Sequence, residues 1–538
     1  MRILFLLAAL LAAPLHAQSR DAATTLGRDV LTPVMPREGQ TVDLPVLSAL
    51  DIDVAGDARD GLFIGAVNVE GARDMPRAAF AAVIEPFIGK QADARDLQAL
   101  ARAVANVARE RGYIFASAMV PEQVVDAGTV TVMLDAGSVD RVAITGSDNR
   151  KLKRILARIV GPAVRRDTFE RQMLLAGDIP GMVIVSTRYG RAADGATLFV
   201  EARDDRVSGS AGLDNYGSAE LGPARLRLRF DLTGLLDDGD QLVTQLVITP
   251  LQPKELAYGS LRYTIGIGSA GTQIGAAVVA GKTKPGGMLI AGRLTGDSRY
   301  GAIFINHPVL RSVQANLWVN GELAHLRVDQ KYDGNPAQRD DITTLTLSMI
   351  ANAKFAGSRL WGGFGVVQGL GGTPGNDPMA SRINGSSRFT KAVGWVSWTG
   401  SLAKQFRLRI AGNGQIASRP LLAAQEIGLG GPGVGRAYDF SERFGDSGVM
   451  GLIELQQQFD KLLPGVDWVQ TYQFVDGGYV ENIADSFGDG TRFSAGAGLR
   501  AAFSQTNVGI EFAFPLNARR FDGDSASPRI NFTVGRNF

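Results

Sequence analysis

The sequence contains no cysteine, which excludes a disulfide scaffold, a thiolate metal site and a cysteine nucleophile. Histidine is nearly as scarce. His16, His307 and His325 are the only three, too few for a histidine metal cluster, and none lies near a serine motif that a Ser-His-Asp set would need. An excess of either charge is missing too: 56 Lys and Arg against 54 Asp and Glu leave +2, so no basic field points to nucleic acid. Apolar runs of the ~20 residues a spanning helix needs are absent throughout. There is no P-loop, so nothing suggests that a nucleotide drives this protein. No cofactor, metal or catalytic residue is expected.

What is abundant is glycine, 66 of 538 residues, or about 12% against a usual ~7% and without the collagen period. At the N-terminus Arg2 precedes the apolar run Ile3 to Leu15 and then His16-Ala17-Gln18. A short positive region, about 13 apolar residues and a small residue before the cut read as a secretory signal peptide, residues 1–17, cleaved after Ala17. The mature chain is then either soluble outside the cytoplasm or a β-barrel, the other spanning structure whose backbone is fully hydrogen-bonded.

Three regimes follow. Residues 18–60 carry Pro33, Pro36 and Pro45 among scattered charges and read as an extended tether, in which a short helix near Ala22 to Val30 is either a pore plug or part of a simple linker. Residues 61–204 alternate helical and strand patterns. A strand from Leu62 to Val69 precedes a helical stretch after Pro76 and a helix from Asp93 to Arg111. On that helix Leu97, Leu100, Val104 and Val107 share one face, Asp93 or Asp96 caps the start and Gly112 stops the end. Strands Tyr113 to Val120 and Thr129 to Leu134 complete the unit. The same order returns as Val139 to Ile144, helices near Leu152 to Ile159 and Thr168 to Ala176, then strands Met182 to Arg188 and Ala196 to Glu201. A repeat of about 75 residues with one element order is a stronger signal than either copy alone.

From residue 205 onward helical periodicity disappears. Ala224 to Leu232 puts Arg225, Arg227 and Arg229 on one parity and Leu226, Leu228 and Phe230 on the other. Asn507 to Leu516 alternates likewise, and Val313 to Leu323 alternates with Gln314, Asn316, Trp318, Asn320 and Glu322. One reading is an antiparallel sheet on a soluble core. The other is a closed barrel with lipid outside and water inside, which accommodates both the ionic ladders and the uncovered apolar faces. At roughly 20 residues per strand and connection, residues 205–538 supply about 16 antiparallel strands. Arg225, Arg227 and Arg229, with Arg407 and Arg409, then form a lumenal ladder that either wets the path or balances lumenal acids. Arg529 to Phe538 alternates up to an aromatic terminus, and closure against the first strand leaves no open edge.

Short motifs are more specific than periodicity. Arg111-Gly112-Tyr113, Val120-Pro121-Glu122-Gln123 and Gly128 to Val132 mark the first α/β unit; Phe169-Glu170-Arg171, Leu174-Leu175 and Asp178-Ile179-Pro180-Gly181 mark the second. Asp214-Asn215-Tyr216-Gly217 opens the barrel, and Gly239-Asp240 follows its second strand. Together they resemble the TpsB-type transporters of two-partner secretion, the haemolysin secretion/activation family. The resemblance implies two periplasmic POTRA domains, 61–137 and 138–204, ahead of an outer-membrane β-barrel, 205–538. It also implies a terminal Phe538 read as an insertion signal by the barrel assembly machinery, although Arg536 stands where an apolar residue is usual.

Residues 428–440 read GLGGPGVGRAYDF. Gly428, Gly430 and Gly433 fit GxGxxG, but no helix is expected after them, so dinucleotide binding is set aside. Arg436-Ala437-Tyr438 instead resembles the Arg-Gly-Tyr tip of the family's long inward-folding loop, with Gly435 where Val is usual and Ala437 replacing Gly. Asp446, Gly448 and Glu454-Leu455 continue that pattern. Phe474-x-Asp476-x-Gly478 resembles the partner motif on the barrel wall, its three residues pointing the same way from a strand. The resemblance implies a latch between Arg436 and Asp476, supported by Gly435, Ala437, Tyr438, Phe474 and Gly478.

The function so implied is translocation of an unfolded TpsA-type exoprotein from periplasm to cell surface without ATP, in contact with outer-membrane lipid. Two other readings stay open: an assembly factor inserting other barrels, whose main representatives carry more POTRA units, and a passive porin, for which the α/β repeats have no use.

Overall fold

The computed structural model describes Val46–Leu47 and residues 62–538, apart from 73–74, 126, 193–194, 287–292, 485 and 522–524. The expected signal peptide, plug helix and most of the tether lie outside the described residues. Among those described, no helix is long and apolar enough to cross a membrane. Pro36–Asp205 form one compact unit, and Arg206–Phe538, except Arg311–Val313, form another.

The first unit holds β1 (Val46–Leu47), β2 (Leu62–Ile64), β3 (Ala66–Glu70), α1 (Ala81–Ile84), β4 (Lys90–Ala92), α2 (Ala94–Glu110), β5 (Ser117–Met119) and β6 (Thr129–Asp135). Next come β7 (Arg141–Thr145), α3 (Arg150–Leu156), α4 (Arg166–Gly177), β8 (Met182–Ala192) and β9 (Gly195–Asp204). Helix α2 starts where its cap dictates: the Asp93 carboxylate accepts from the amides of Arg95 and Asp96, and Asp96 accepts from the Asp93 amide, a reciprocal capping box. Its Leu97, Leu100, Val104 and Val107 are buried against Val130 and Val132 of β6. The sheets run β3-β6-β5 and β1-β8-β9-β7.

Two expected strands are shorter than the sequence pattern implied. Leu62 to Val69 is broken at Gly65, whose amide donates to Gly128 O at 2.7 Å, so β2 pairs with β4 while β3 runs parallel to β6. Tyr113 to Val120 contracts to β5, because Tyr113 to Ala116 closes a turn (Ala116 N to Tyr113 O, 2.9 Å). That turn delivers Ile114 and Phe115 to the core of the second α/β half. Phe115 stacks on Tyr189 at 4.3 Å and meets Phe169 edge-on at 5.6 Å. A Cβ on Gly137 would come within 2.5 Å of the Phe115 backbone, and Gly137 sits at φ +85°, so a side chain there is excluded twice over. Arg191 adds a 2.7 Å ion pair to Asp135. One aromatic side chain thus couples the two halves. Phe115→Ala is expected to cost about 3–5 kcal/mol, read as a lower urea midpoint for this unit by limited proteolysis of the full-length protein.

The motif residues of this unit are scaffold. Tyr113 is buried in the first core. Pro121 leads into Gln123, whose side-chain amide accepts from Thr131 N (2.8 Å) and donates to Thr131 O (2.9 Å). It therefore stands in for a strand residue and continues β5 along β6. Pro180 and Gly181 occupy a turn closed by Met182 N to Ile179 O at 3.0 Å, Pro second and Gly third as such turns favour.

The second unit is a closed barrel of sixteen antiparallel strands. In chain order they begin β10 (Val207–Asp214), β11 (Arg225–Thr233), β12 (Asp240–Ile248), β13 (Leu256–Ile267), β14 (Thr272–Thr283) and β15 (Leu294–Arg311). Then come β16 (Ala315–Tyr332), β17 (Asn335–Phe355), β18 (Ser358–Gly372), β19 (Thr390–Ser401) and β20 (Phe406–Ala417). A small hairpin of β21 (Ile427–Leu429) and β22 (Arg443–Gly445) interrupts the wall. It resumes with β23 (Ser447–Asp460), β24 (Trp468–Glu481), β25 (Gly490–Phe503), β26 (Thr506–Pro515) and β27 (Arg529–Asn537). Closure rests on β10 and β27, paired from Ser210–Asn537 to Asp214–Thr533. Gly209 and Phe538 extend the seam with reciprocal bonds of 2.9 and 3.0 Å. At its other end the Asn215 side chain accepts from Phe532 N and donates to Ile530 O, each at 2.8 Å.

The alternation has the parity expected over most of the wall, with Phe230, Leu261, Val278, Ile303, Leu347 and Val475 among the exposed outward residues. It inverts on the long strands. Along β16 the outward residues Val319 and Leu323 give way to His325, Arg327 and Asp329, while the inward ones pass from Asn320 and Glu322 to Ala324, Leu326 and Val328. At 21 residues β17 rises about 50 Å at a ~45° tilt, roughly twice the ~25 Å apolar band of such barrels. The wall beyond the band is therefore wet outside, and its inner face packs on loops.

Candidate functional site

The connection from β20 to β23, residues 418–446, enters as β21, turns through the glycine-rich segment and leaves as β22. Gly428, Gly430 and Gly433 belong to this hairpin and its turn, and a strand rather than a helix follows. Gly435 sits at φ +78°, a conformation that disfavours the valine usual before the arginine. Its amide donates to Asp476 Oδ1 at 2.9 Å.

Arg436 is 5% exposed and faces three carboxylates. Its Nη2 donates to Glu454 Oε2 at 2.9 Å and its Nη1 to Glu511 Oε2 at 2.8 Å. Nε lies 3.3 Å from Asp476 Oδ2, an ion pair outside hydrogen-bond alignment, both atoms being otherwise unsatisfied. The guanidinium rests 4.2 Å over the Phe474 ring. Glu454 also accepts from Arg500 Nη1 (3.0 Å) and Gln456 Nε2 (2.8 Å); Glu511 accepts from the Tyr472 hydroxyl (3.0 Å) and Asn531 Nδ2 (3.1 Å). Asp476 accepts a hydrogen bond from the Ser494 hydroxyl. Two guanidiniums thus share three buried acids.

The sequence reading named one partner for Arg436, and the geometry places two better-aligned ones beside it. Glu454 was visible only as part of a motif and Glu511 only as a polar position on an alternating strand. That they meet follows from the register of β23 to β26, which no local pattern encodes. Ala437 and Tyr438 are fully buried, and the Tyr438 hydroxyl lies within 3.1–3.3 Å of Phe493 O, Asn517 Oδ1 and Ala518 O. Gly478 lies on β24 opposite Met450 of β23. A Cβ there would meet Val449 O at 2.5 Å, so it permits close approach of β23 to β24.

Sequence reasoning missed a second ionic node. Arg382, between β18 and β19, donates from Nη1 to Glu426 Oε1 (2.9 Å) and Asp446 Oδ1 (2.7 Å), with all three side chains buried. Asp446 also accepts from Leu421 N (2.6 Å) and Ile483 N (2.9 Å). Ile342, Phe389, Leu421 and Leu422 form an apolar core alongside. The Arg436 loop is therefore gripped at its base by an arginine of the preceding loop and at its tip by acids of the wall.

The expected ladder is split. Arg225 and Arg227 lie 2.9 and 3.1 Å from Asp214, and Arg229 pairs with Asp231 at 2.7 Å, so these three balance lumenal acids. Arg407 and Arg409 also have inward parity but form no salt bridge among the described residues. Phe538 closes the seam and meets Phe230 at 5.9 Å. Among the described residues no His/Asp/Glu group is arranged to hold a metal ion.

The family described as haemolysin secretion/activation protein ShlB/FhaC/HecB matches residues 198–501, and that described as POTRA domain, ShlB-type, matches 62–137. The heme/hemopexin transporter protein HuxB of Haemophilus influenzae (strain 86-028NP) is 24% identical over 461 residues, covering 81% of this chain and 80% of its own. Among solved structures, CdiB from Escherichia coli matches with a TM-score of 0.70 at 18% identity, and CdiB from Acinetobacter baumannii with 0.63 at 15%, each covering 98% of both chains. At those identities the solved structures speak to the fold.

Proposed function

The chain belongs to the haemolysin secretion/activation family, and from that premise we propose how its parts divide the work of moving an exoprotein. It is an outer-membrane two-partner secretion transporter, of a transporter rather than an enzyme family, and its client is a secreted exoprotein. The α/β unit captures the client, of the TpsA type, in extended form. A sheet edge offers main-chain bonds with little sequence demand. The parallel pairing of Val46–Leu47 with Arg188–Tyr189 on the β8 edge is a strand addition of that kind. The client then threads the barrel unfolded, and its folding outside makes return unfavourable.

The observation that carries the reading is the tip of the 418–446 loop tied into the wall by Arg436. A porin has no use for three buried acids gathered on one loop cation, whereas a translocator needs this loop held in one working position on the wall. Deleting residues 61–137 is expected to abolish secretion while leaving a heat-modifiable barrel in the outer membrane, since barrel hydrogen bonds close on themselves. Secretion at the normal rate by that truncation would remove the capture role.

A further inference from the structure

We propose that the outward face of β14 to β17, just above the lipid-facing apolar band, binds the phosphorylated glycolipid headgroup of the outer leaflet, with Arg327 and Arg339 as its phosphate ligands. The edge of the band is set by the parity inversion. On paired β16 and β17 the last outward apolar pair is Leu323–Leu345, and above it stand His325–Thr343, Arg327–Asp341 and Asp329–Arg339. On the neighbouring β14 and β15 the pair Val278–Gly301 is followed by Ala280–Arg299 and Lys282–Asp297. Five cations, Lys282, Arg299, Arg327, Lys331 and Arg339, thus share this face with three acids, Asp297, Asp329 and Asp341.

The arrangement is built rather than merely charged. Asp329 Oδ2 accepts from Arg327 Nε at 2.8 Å, and Asp329 Oδ1 accepts from Arg339 Nε at 2.7 Å. Arg327 Nη2 reaches the same Oδ1 at 3.4 Å. One carboxylate therefore fixes two guanidiniums side by side by their inner edges. Both terminal amino groups of Arg339 and Nη1 of Arg327 are left to face outward, with the side chains 49% and 41% exposed. Guanidiniums pre-oriented in this way suit bidentate contact with phosphate. His325, one position nearer the lipid, adds a ring 3.1 Å from Thr343 Oγ1. A solvated face gains little from drawing two arginines onto one carboxylate. The chain enters β10 from the periplasmic domains and β16 is the seventh wall strand, so β16 ends at the outer surface. Immediately above an apolar band there, the anion within reach is the glycolipid phosphate, and its acyl chains meet Leu323, Leu345 and Leu347 below.

Delipidated protein in neutral detergent, titrated with bisphosphorylated lipid A and followed by native mass spectrometry and thermal midpoint, tests this. Saturable binding with a raised midpoint is expected, weakened at least tenfold in Arg327→Gln/Arg339→Gln and only partly in the double lysine variant. Dephosphorylated lipid A should bind no better to wild type than to the variant. Equal lipid A affinity in wild type and double glutamine variant overturns the site. So does matching stabilisation by phosphatidylglycerol or by inorganic phosphate alone. Should the double variant lose heat-modifiability, Arg339→Gln alone, the more exposed change, carries the same comparison.

Discussion

Arg436→Ala is expected to reduce secretion at least a hundredfold while the barrel still inserts and remains heat-modifiable. The change strips Glu454, Asp476 and Glu511 of their shared cation and leaves Arg500, on Glu454 alone, to offset all three. Removing one partner of a buried ionic group typically costs about 3–5 kcal/mol, and here the cost falls on the loop, whose tip is then held by weaker bonds such as those of the Gly435 amide and the Tyr438 hydroxyl. The barrel is spared because its strands are held by main-chain bonds and close through β10 and β27.

The three acids should not respond alike. Glu454→Gln and Glu511→Gln each remove a carboxylate that bonds Arg436 directly, and both should impair secretion clearly. Asp476→Asn should be milder, since an amide oxygen still accepts from the Gly435 amide and the Ser494 hydroxyl. Exchanging charges as Arg436→Asp with Asp476→Arg should give no recovery, because the new aspartate would face Glu454 and Glu511. In a secretion assay, Arg436→Ala combined with Glu454→Gln should be little worse than Arg436→Ala alone, the non-additivity of contacting groups. Strictly additive losses would show that the loop tip and the wall act separately.

A disulfide between the 373–389 and 418–446 loops, Ser381→Cys with Ala423→Cys, is expected to stop secretion under oxidising conditions and release it on reduction. The Ser381 hydroxyl oxygen lies 3.0 Å from the Ala423 amide, both residues are small and buried, and the required Cα separation of about 4.4–6.8 Å is within reach. These loops share the core around Ile342, Phe389, Leu421 and Leu422 and the Arg382 node, so a client leaving the pore must part them. With no native cysteine, no background thiol confuses the result. Full secretion with the crosslink complete by thiol counting would mean that the loops move together or not at all.

Much of this was legible beforehand because it is periodic. Alternation of Arg225 to Phe230 and of Asn507 to Leu516 needs only a two-residue period to declare a wall with two unlike faces, and the repeated α/β order needs only hydrophobic spacing and caps such as Asp93. Gly435, Arg436 and Asp476 were legible by motif. Other features were not. The contraction of the Tyr113 strand reflects Phe115 finding Tyr189 and Phe169, some fifty to seventy residues away in sequence.

What the sequence determined by itself was therefore the class of structure, since each strand and helix carries its own pattern of apolar and polar positions. What only the tertiary structure decided was which charges meet. Glu454 and Glu511 join Arg436, and Arg382 joins Glu426 and Asp446, because strand register and loop folding bring together groups 18 to 75 residues apart. A buried ion pair depends on distances of about 3 Å, which a local pattern of residue types does not contain.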